Sequence, residues 1–149
     1  KEQTNYESVA LKDVIDDVMF LFRQKISDTK ARIIVPQNLP ELKSNKSLIQ
    51  LIIQNILENG LKYCHEERTP EIEIEIVQLD ANWQFCIKDN GIGIEADYLD
   101  SIFTIFYRHH TAKQSNGNGM GLTIVKKIIE KINGRIWVES VPGEGSSFY

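Results

Sequence analysis

The chain has 149 residues, 42% apolar and 26% charged, the size and composition of one globular domain built on one core. With 9% aromatic residues, it has enough apolar surface to offset the entropy of ordering, which excludes the disordered and low-complexity classes. The 17 basic residues are outnumbered by 21 acidic ones, a net charge of -4, so no global positive field draws in nucleic acid or an anionic membrane, and any phosphate site must be local.

At the start, Lys1 stands in place of Met and no signal-peptide pattern follows, so the chain reads as a piece excised from a longer protein. After a polar opening, Leu11, Val14, Ile15, Val18 and Phe22 recur at i, i+3, i+4, i+7 and i+11, with Ser8 placed to cap. That spacing predicts an amphipathic helix ending near Asp28. A strand over 32–35 follows, then the turn-rich PQNLPELKSN, then a helix from about 45 to 63. The apolar run in that helix, around Ile52 and Ile53, is broken by Gln50, Gln54 and Asn55, far short of the roughly 20 residues that span a bilayer.

EIEIEIV (71–77) alternates strictly, setting Ile72, Ile74 and Ile76 on a buried face and Glu71, Glu73 and Glu75 on a solvated one. DAN then turns into WQFCI (83–87), giving an antiparallel hairpin with one wet face. A short helix around 97–103, a polar stretch over 109–119 and a helix with Leu122, Val125, Ile129 and Ile132 inward come next, the last ended by Asn133 and Gly134. RIWVESV and GSSFY read as closing strands joined at Pro142 and Gly143. Strands with one apolar face each, interspersed with helices, predict a single domain over 1–149. Its fold class is an α/β two-layer sandwich, with a mixed, mainly antiparallel sheet and helices on one face. Cys64 and Cys86 form no CxxC pair, which fits a reducing, cytoplasmic setting. Whether the parent protein is membrane-anchored stays open.

Three segments carry chemistry. In NILENGLKY (55–63), Asn55, Asn59 and Lys62 stand at i, i+4 and i+7, within about 60° of one another around a helix. An amide oxygen is a hard ligand suited to magnesium and a lysine one turn away can neutralise a phosphate, although the same residues also make an ordinary solvated face. DNGIGI (89–94) follows directly on a strand. Its two glycines allow backbone to approach a flat ligand, and its carboxylate can accept from an exocyclic amine such as that of adenine. A plain Asp-Asn-Gly turn would read alike. GNGMGL (117–122) opens a helix, where backbone N–H groups can point at an anion. No GK[ST] follows, and Gly91 and Gly93 are succeeded by Glu95 and Ala96, so the Walker loop and the dinucleotide fingerprint are both rejected.

Taken in order, these segments resemble the ATP-binding catalytic domain of sensor histidine kinases, in the superfamily that also holds gyrase, the large heat-shock chaperones and MutL. The resemblance covers nearly the whole chain. NILENGLKY is similar to the Asn box, DNGIGI to the first glycine box, IFTIFYR (102–108) to the Phe box and GNGMGLTIVKKIIE to the second glycine box, while GRIWVESVPGEGSSF is similar to the closing strands. The resemblance implies the Bergerat-type fold, with ATP and Mg2+ as ligands. It implies Asn59 as magnesium ligand supported by Asn55, Lys62 on the phosphates, Tyr63 near the adenine and Asp89 on its amine. Gly91, Gly93 and Ile94 would shape the base pocket, and Gly117, Gly119, Met120, Gly121 and Leu122 the triphosphate loop. Phe103 and Phe106 would anchor HHTAKQSNGN, which has the composition of a lid that orders over nucleotide. Plain core packing explains Phe103 equally well. Arg108 would reach the γ-phosphate or the phosphoacceptor helix.

Asn55 bears on the activity, because relatives that hydrolyse ATP place a glutamate there, and an amide is not a general base. Glu58 is the only nearby carboxylate on this helix and lies to one side. Slow hydrolysis and transfer to a nucleophilic histidine are therefore expected, with catalysis by positioning and charge neutralisation. The implied partners are the dimerisation and phosphoacceptor helices of the same protein and the receiver domain of a response regulator, with no nucleic acid and no membrane contact. An ATP hydrolase or protein-serine kinase of the same superfamily is one alternative, and a degenerate nucleotide-binding interaction module is another. HEERTP (65–70) resembles a phosphoacceptor box but directly follows the Asn box and runs into Pro70, so it reads as a connecting loop. The acceptor is expected before Lys1. Cys64, His65, His109 and His110 lack the paired spacing of zinc sites and read as loop residues. Gly60, where the family usually has Ala, is expected to loosen its helix by about 1 kcal/mol without touching the pocket.

Overall fold

The computed structural model describes residues 6–99, 101–103 and 121–149. Alternation builds its main sheet. β4 (Glu71–Leu79) and β5 (Asn82–Asp89) form a long antiparallel hairpin in which Ile74 faces Ile87, closed by a two-residue turn at Asp80 and Ala81 with Asp80 at φ 48°. Ile72, Ile74 and Ile87 are buried while Glu71 and Glu75 are exposed, as the alternation predicts, whereas Ile76 and Glu73 are both half-buried. β2 (Arg32–Ile34) adds parallel to β4, and β7 (Gly145–Phe148) and β6 (Val138–Val141) add antiparallel beyond β5, giving the order β2-β4-β5-β7-β6. Trp137 and Tyr149 extend the last pair by exchanging backbone bonds of 3.1 and 2.9 Å.

The helices cover the apolar face of this sheet, completing a two-layer α/β sandwich. α3 (Lys46–Lys62) packs against β4, β5, α1 (Leu11–Leu21) and α4 (Gly121–Lys131). Its Ile49, Ile53, Ile56, Leu57 and Leu61 are buried together with Leu11, Val14, Ile15 and Val18 of α1 and Val125 of α4. Asn45 caps α3 as expected, its Oδ1 accepting from the Leu48 N–H at 3.0 Å. α4 ends as expected too, with Asn133 at φ 62° and the Gly134 N–H returning to the Ile129 carbonyl at 2.8 Å. Its buried seam is Val125 and Ile128, with Leu122, Ile129 and Ile132 only half-buried.

Three local expectations are corrected. The helix expected to reach Asp28 is two, α1 and α2 (Arg23–Thr29), separated at Phe22, where φ is -99° and ψ 12°. Ser8 does not cap. It lies in β1 (Glu7–Ala10), which pairs antiparallel with β3 (Glu41–Ser44), and its hydroxyl donates to Glu41 Oε2 at 3.3 Å. Ala10 holds the cap position without a side-chain bond, and the Leu11 N–H is satisfied by the Pro40 carbonyl at 3.2 Å. The short helix expected near 97–103 is a 3-10 turn at Ala96–Tyr98. No helix among the described residues is long and apolar enough to cross a membrane.

Candidate functional site

The polar residues of α3 lie on the side turned away from its apolar seam. Asn55 is half-buried and spends its Nδ2 on the Leu51 carbonyl at 2.7 Å. Its Oδ1 faces the first residue of α4, since a Cβ on Gly121 would sit 3.1 Å from it. One turn on, Asn59 is half-buried, and its amide makes no hydrogen bond among the described residues. Lys62 follows, with Nζ 6.0 Å from the centre of the Tyr63 ring. Tyr63 ends the helix, its N–H bonded to the Asn59 carbonyl at 3.0 Å and its own carbonyl accepting from the Ile92 N–H at 2.8 Å. That last bond ties the end of α3 to the loop after β5.

Asp89 closes β5 beside this helix end. Its Oδ1 accepts from the Gly91 N–H at 2.9 Å and the Ser146 N–H at 3.2 Å. Burial lifts its carboxyl above the ordinary aspartate range, and these two N–H groups pull it part of the way back. Gly60 of α3 is buried against the same spot. A Cβ there would lie 2.8 Å from Ile72 Cδ1 and 3.4 Å from Asp89 Cβ, so Gly60 adjoins Asp89, contrary to the expectation that it stands clear of the pocket. Both glycines of the loop are required by the protein's own backbone. A Cβ on Gly91 would strike the Tyr63 carbonyl, and one on Gly93, at φ 75°, would strike the Val141 carbonyl. Ile94 packs its side chain against the core, while its N–H donates to Ser140 Oγ at 2.7 Å. Ser140 in turn donates to the Gly145 carbonyl at 2.8 Å and lies 2.8 Å from Ser146 Oγ. Leu122 is also half-buried against the core. Phe103 packs there as well, its carbonyl accepting from Thr123 Oγ1 at 3.0 Å.

Sequence reasoning missed Asn90 and Arg68. Asn90 accepts from the Glu71 N–H at 2.8 Å and donates to the Thr69 carbonyl at 3.0 Å. Arg68, from the segment read as a connecting loop, donates through Nη1 to the carbonyls of Asn90 and Gly91 and through Nη2 to that of Gly143 at 2.8 Å. Backbone carbonyls are anonymous in a sequence, so no residue pattern announces such a partner. Of the expected site residues, Asn55, Asn59, Lys62, Tyr63, Asp89, Gly91, Gly93 and Gly121 come together around the C-terminal half of α3. Phe106, Arg108, Gly117, Gly119 and Met120, with the stretch 109–118 read as a lid, lie outside the described residues.

Comparison with known proteins gives the family and the fold. Residues 44–149 match the family described as histidine kinase-, DNA gyrase B-, and HSP90-like ATPase. Cyanobacterial phytochrome A of Nostoc sp. is 40% identical over 97% of the chain and 19% of its own length. The adaptive-response sensory kinase SasA of Synechocystis sp. is 32% identical over 99% of the chain and 39% of its own length. The chain thus spans only a minor part of the relatives it matches. The mycobacterial sensor histidine kinase MprB shares the fold with a TM-score of 0.81 at 23% identity, covering 97% of this chain and 94% of that one. Histidine kinase ThkA, solved in complex with response regulator protein TrrA, gives 0.75 at 21% identity, covering 96% and 40%. With that match spanning α3, the Asp89 loop and the closing strands, the chain belongs to the histidine kinase-, DNA gyrase B- and HSP90-like ATPase family.

Proposed function

We propose that residues 1–149 form the single catalytic domain of a two-component sensor histidine kinase, working in the cytoplasm on Mg-ATP. It would pass the γ-phosphoryl group to a histidine on dimerisation helices of the same protein, for onward transfer to a response-regulator receiver domain. The observation that carries this reading is Asp89, half-buried against α3, with Oδ1 saturated by two backbone N–H groups. A carboxylate so oriented can take the exocyclic amine of adenine on its other oxygen. Tyr63 would pack near the base, with Gly91, Gly93 and Ile94 holding the loop around it, while Lys62 would neutralise phosphate charge. Gly117, Gly119, Met120, Gly121 and Leu122 would cradle the triphosphate, Phe106 would anchor the base of the lid, and Arg108 would reach the γ-phosphate or the phosphoacceptor helix.

Asn59 would hold magnesium. The donors fit that metal in part, since Asn59 brings one neutral oxygen and phosphate oxygens and water must fill the rest of an octahedral shell. Magnesium would supply charge neutralisation to the phosphoryl group in transfer. As the bond between the γ-phosphorus and the leaving ADP oxygen breaks, an imidazole nitrogen of the acceptor bonds to phosphorus. Asn55 takes no proton in this step: it is an amide, with its Nδ2 committed to the Leu51 carbonyl. An imidazole needs no such base and water does, which favours transfer over hydrolysis.

The test is a titration of the chain with a fluorescent ATP analogue, with and without magnesium and with competing ATP, followed by labelling of the full-length protein from γ-labelled ATP. Competable, magnesium-sensitive binding and an acid-labile label on histidine are expected. Rapid ATP hydrolysis by the chain alone, lost in Glu58→Ala, would instead establish a hydrolase, and binding without any histidine label would establish an interaction module.

A further inference from the structure

We propose that Arg68 is a positioning residue for base selection: by tying together the carbonyls of Asn90, Gly91 and Gly143, its guanidinium orients the Asp89 carboxylate toward a purine that carries an exocyclic amine. The inference rests on the reading of Asp89 as the base-binding group. Its ground is a coincidence of partners. Arg68 bridges two segments distant in sequence, the loop after β5 and the turn between β6 and β7. Of the two N–H groups that hold Asp89 Oδ1, Gly91 belongs to the first of these segments and Ser146 to β7, the strand that leaves the second three residues past Gly143. Fixing these segments relative to each other therefore helps to hold both donors on one carboxylate oxygen and leaves the other oxygen without a donor among the described residues.

The chemistry of the side chain suits this task. Among the described residues no carboxylate pairs with Arg68, and its recorded donors all go to neutral carbonyls. A planar, rigid fork can hold three acceptors in fixed mutual geometry, whereas a lysine ammonium is a single rotating point. The loop also has ties that do not involve Arg68: Asn90 to Glu71 and Thr69, Ile92 N–H to the Tyr63 carbonyl, and the Gly143 N–H to the Ile92 carbonyl at 2.8 Å. Loss of the guanidinium should therefore loosen the carboxylate without unfolding the loop.

The experiment compares dissociation constants for ATP and inosine triphosphate, which has a carbonyl in place of the 6-amino group, in wild type, Arg68→Ala, Arg68→Lys and Asp89→Asn. Wild type should prefer ATP. Arg68→Ala should lose that preference by roughly tenfold or more, with inosine triphosphate affinity nearly unchanged and melting still cooperative. Arg68→Lys, which keeps the charge but not the fork, should fail to restore it, and Arg68→Ala combined with Asp89→Asn should lose no more than Asp89→Asn alone. An equal fall in affinity for both nucleotides, or full rescue by lysine, would overturn the proposal, leaving a general structural or purely electrostatic role. If Asp89→Asn keeps the wild-type preference, the base reading of Asp89 fails, and base selection through Arg68 fails with it. Amide exchange without nucleotide then reports on the clamp alone: faster exchange at Gly91 and Ser146 in Arg68→Ala supports it, and unchanged exchange overturns it as well.

Discussion

On the proposed reading, Asp89 sets function against stability. Burial disfavours its charged form, so its carboxyl titrates higher in the folded chain than in the unfolded one. The sign follows from proton counting: between the two values the folded chain binds more protons, and stability falls as pH rises. The penalty is complete above the raised folded value and absent below the unfolded range near about pH 4. Asp89→Asn keeps an oxygen for the Gly91 and Ser146 N–H groups and removes the charge. Without nucleotide it should be at least as stable as wild type at pH 7, by thermal or urea melting, with the difference closing toward pH 4. ATP affinity should drop roughly ten- to hundredfold, the worth of a hydrogen bond to a charged group. A variant clearly less stable than wild type at pH 7 would show that the carboxylate is a net stabiliser and refute this account. Asp89 was legible in sequence because a carboxylate at a strand end before paired glycines is a local pattern. Arg68, Ser140 and Ser146 were not, because what they touch is backbone or lies far along the chain.

Between elements, α3 approaches β4 closely at Gly60, beside Asp89. A Cβ there would lie 2.8 Å from Ile72 Cδ1, on a side chain with 0% exposure. Gly60→Ala should gain about 1 kcal/mol of helix propensity and lose it again in displacing that methyl. Ile72→Val, which removes the methyl, should cost about 0.5–1.5 kcal/mol alone. The double variant should be more stable than the sum of the singles by about 1 kcal/mol in urea unfolding, because the two side chains share one space. Additivity within about 0.3 kcal/mol would show that Ile72 yields freely and that glycine is not needed for close approach. The same scale decides what sequence reveals of the fold. α3 and the β4–β5 hairpin announced themselves through long runs of one period and, for α3, the Asn45 cap. β1 and β3 are four residues each, too short for a period of two to stand out, and gain their identity only by pairing with each other. The break at Phe22 carries no Gly or Pro to signal it, and helical bonds flank it on both sides, from the Phe22 N–H to Val18 and from the Ile26 N–H to Phe22.

For the molecule as a whole, the order of motifs was readable but the order of strands was not. β2 reaches β4 only through a crossover containing β3 and α3, and β6 lies outside β7 although it precedes it. These pairings depend on which face each crossover covers, which no single segment encodes. They bring the end of α3, the loop after β5 and the first residue of α4 together, so the proposed site exists only in the folded chain. A ligand that binds only the folded form stabilises it by mass action, by about 2.7 kcal/mol at a hundredfold excess over its dissociation constant. For a domain of this size each kcal/mol moves the melting temperature by about 2–4 °C, so saturating Mg-ATP should raise it by about 5–10 °C. Asn59→Ala should keep the rise given by nucleotide alone and lose the increment added by magnesium, because it removes the side-chain amide that would hold the metal and leaves Asp89 and Lys62 in place. Asp89→Asn should lose most of the rise at the same nucleotide concentration with its magnesium increment diminished in proportion, because the base no longer anchors the triphosphate. A magnesium increment that survives intact in Asn59→Ala would move the metal ligand off α3, while a full rise in Asp89→Asn would show that the triphosphate, held without the base, carries the binding.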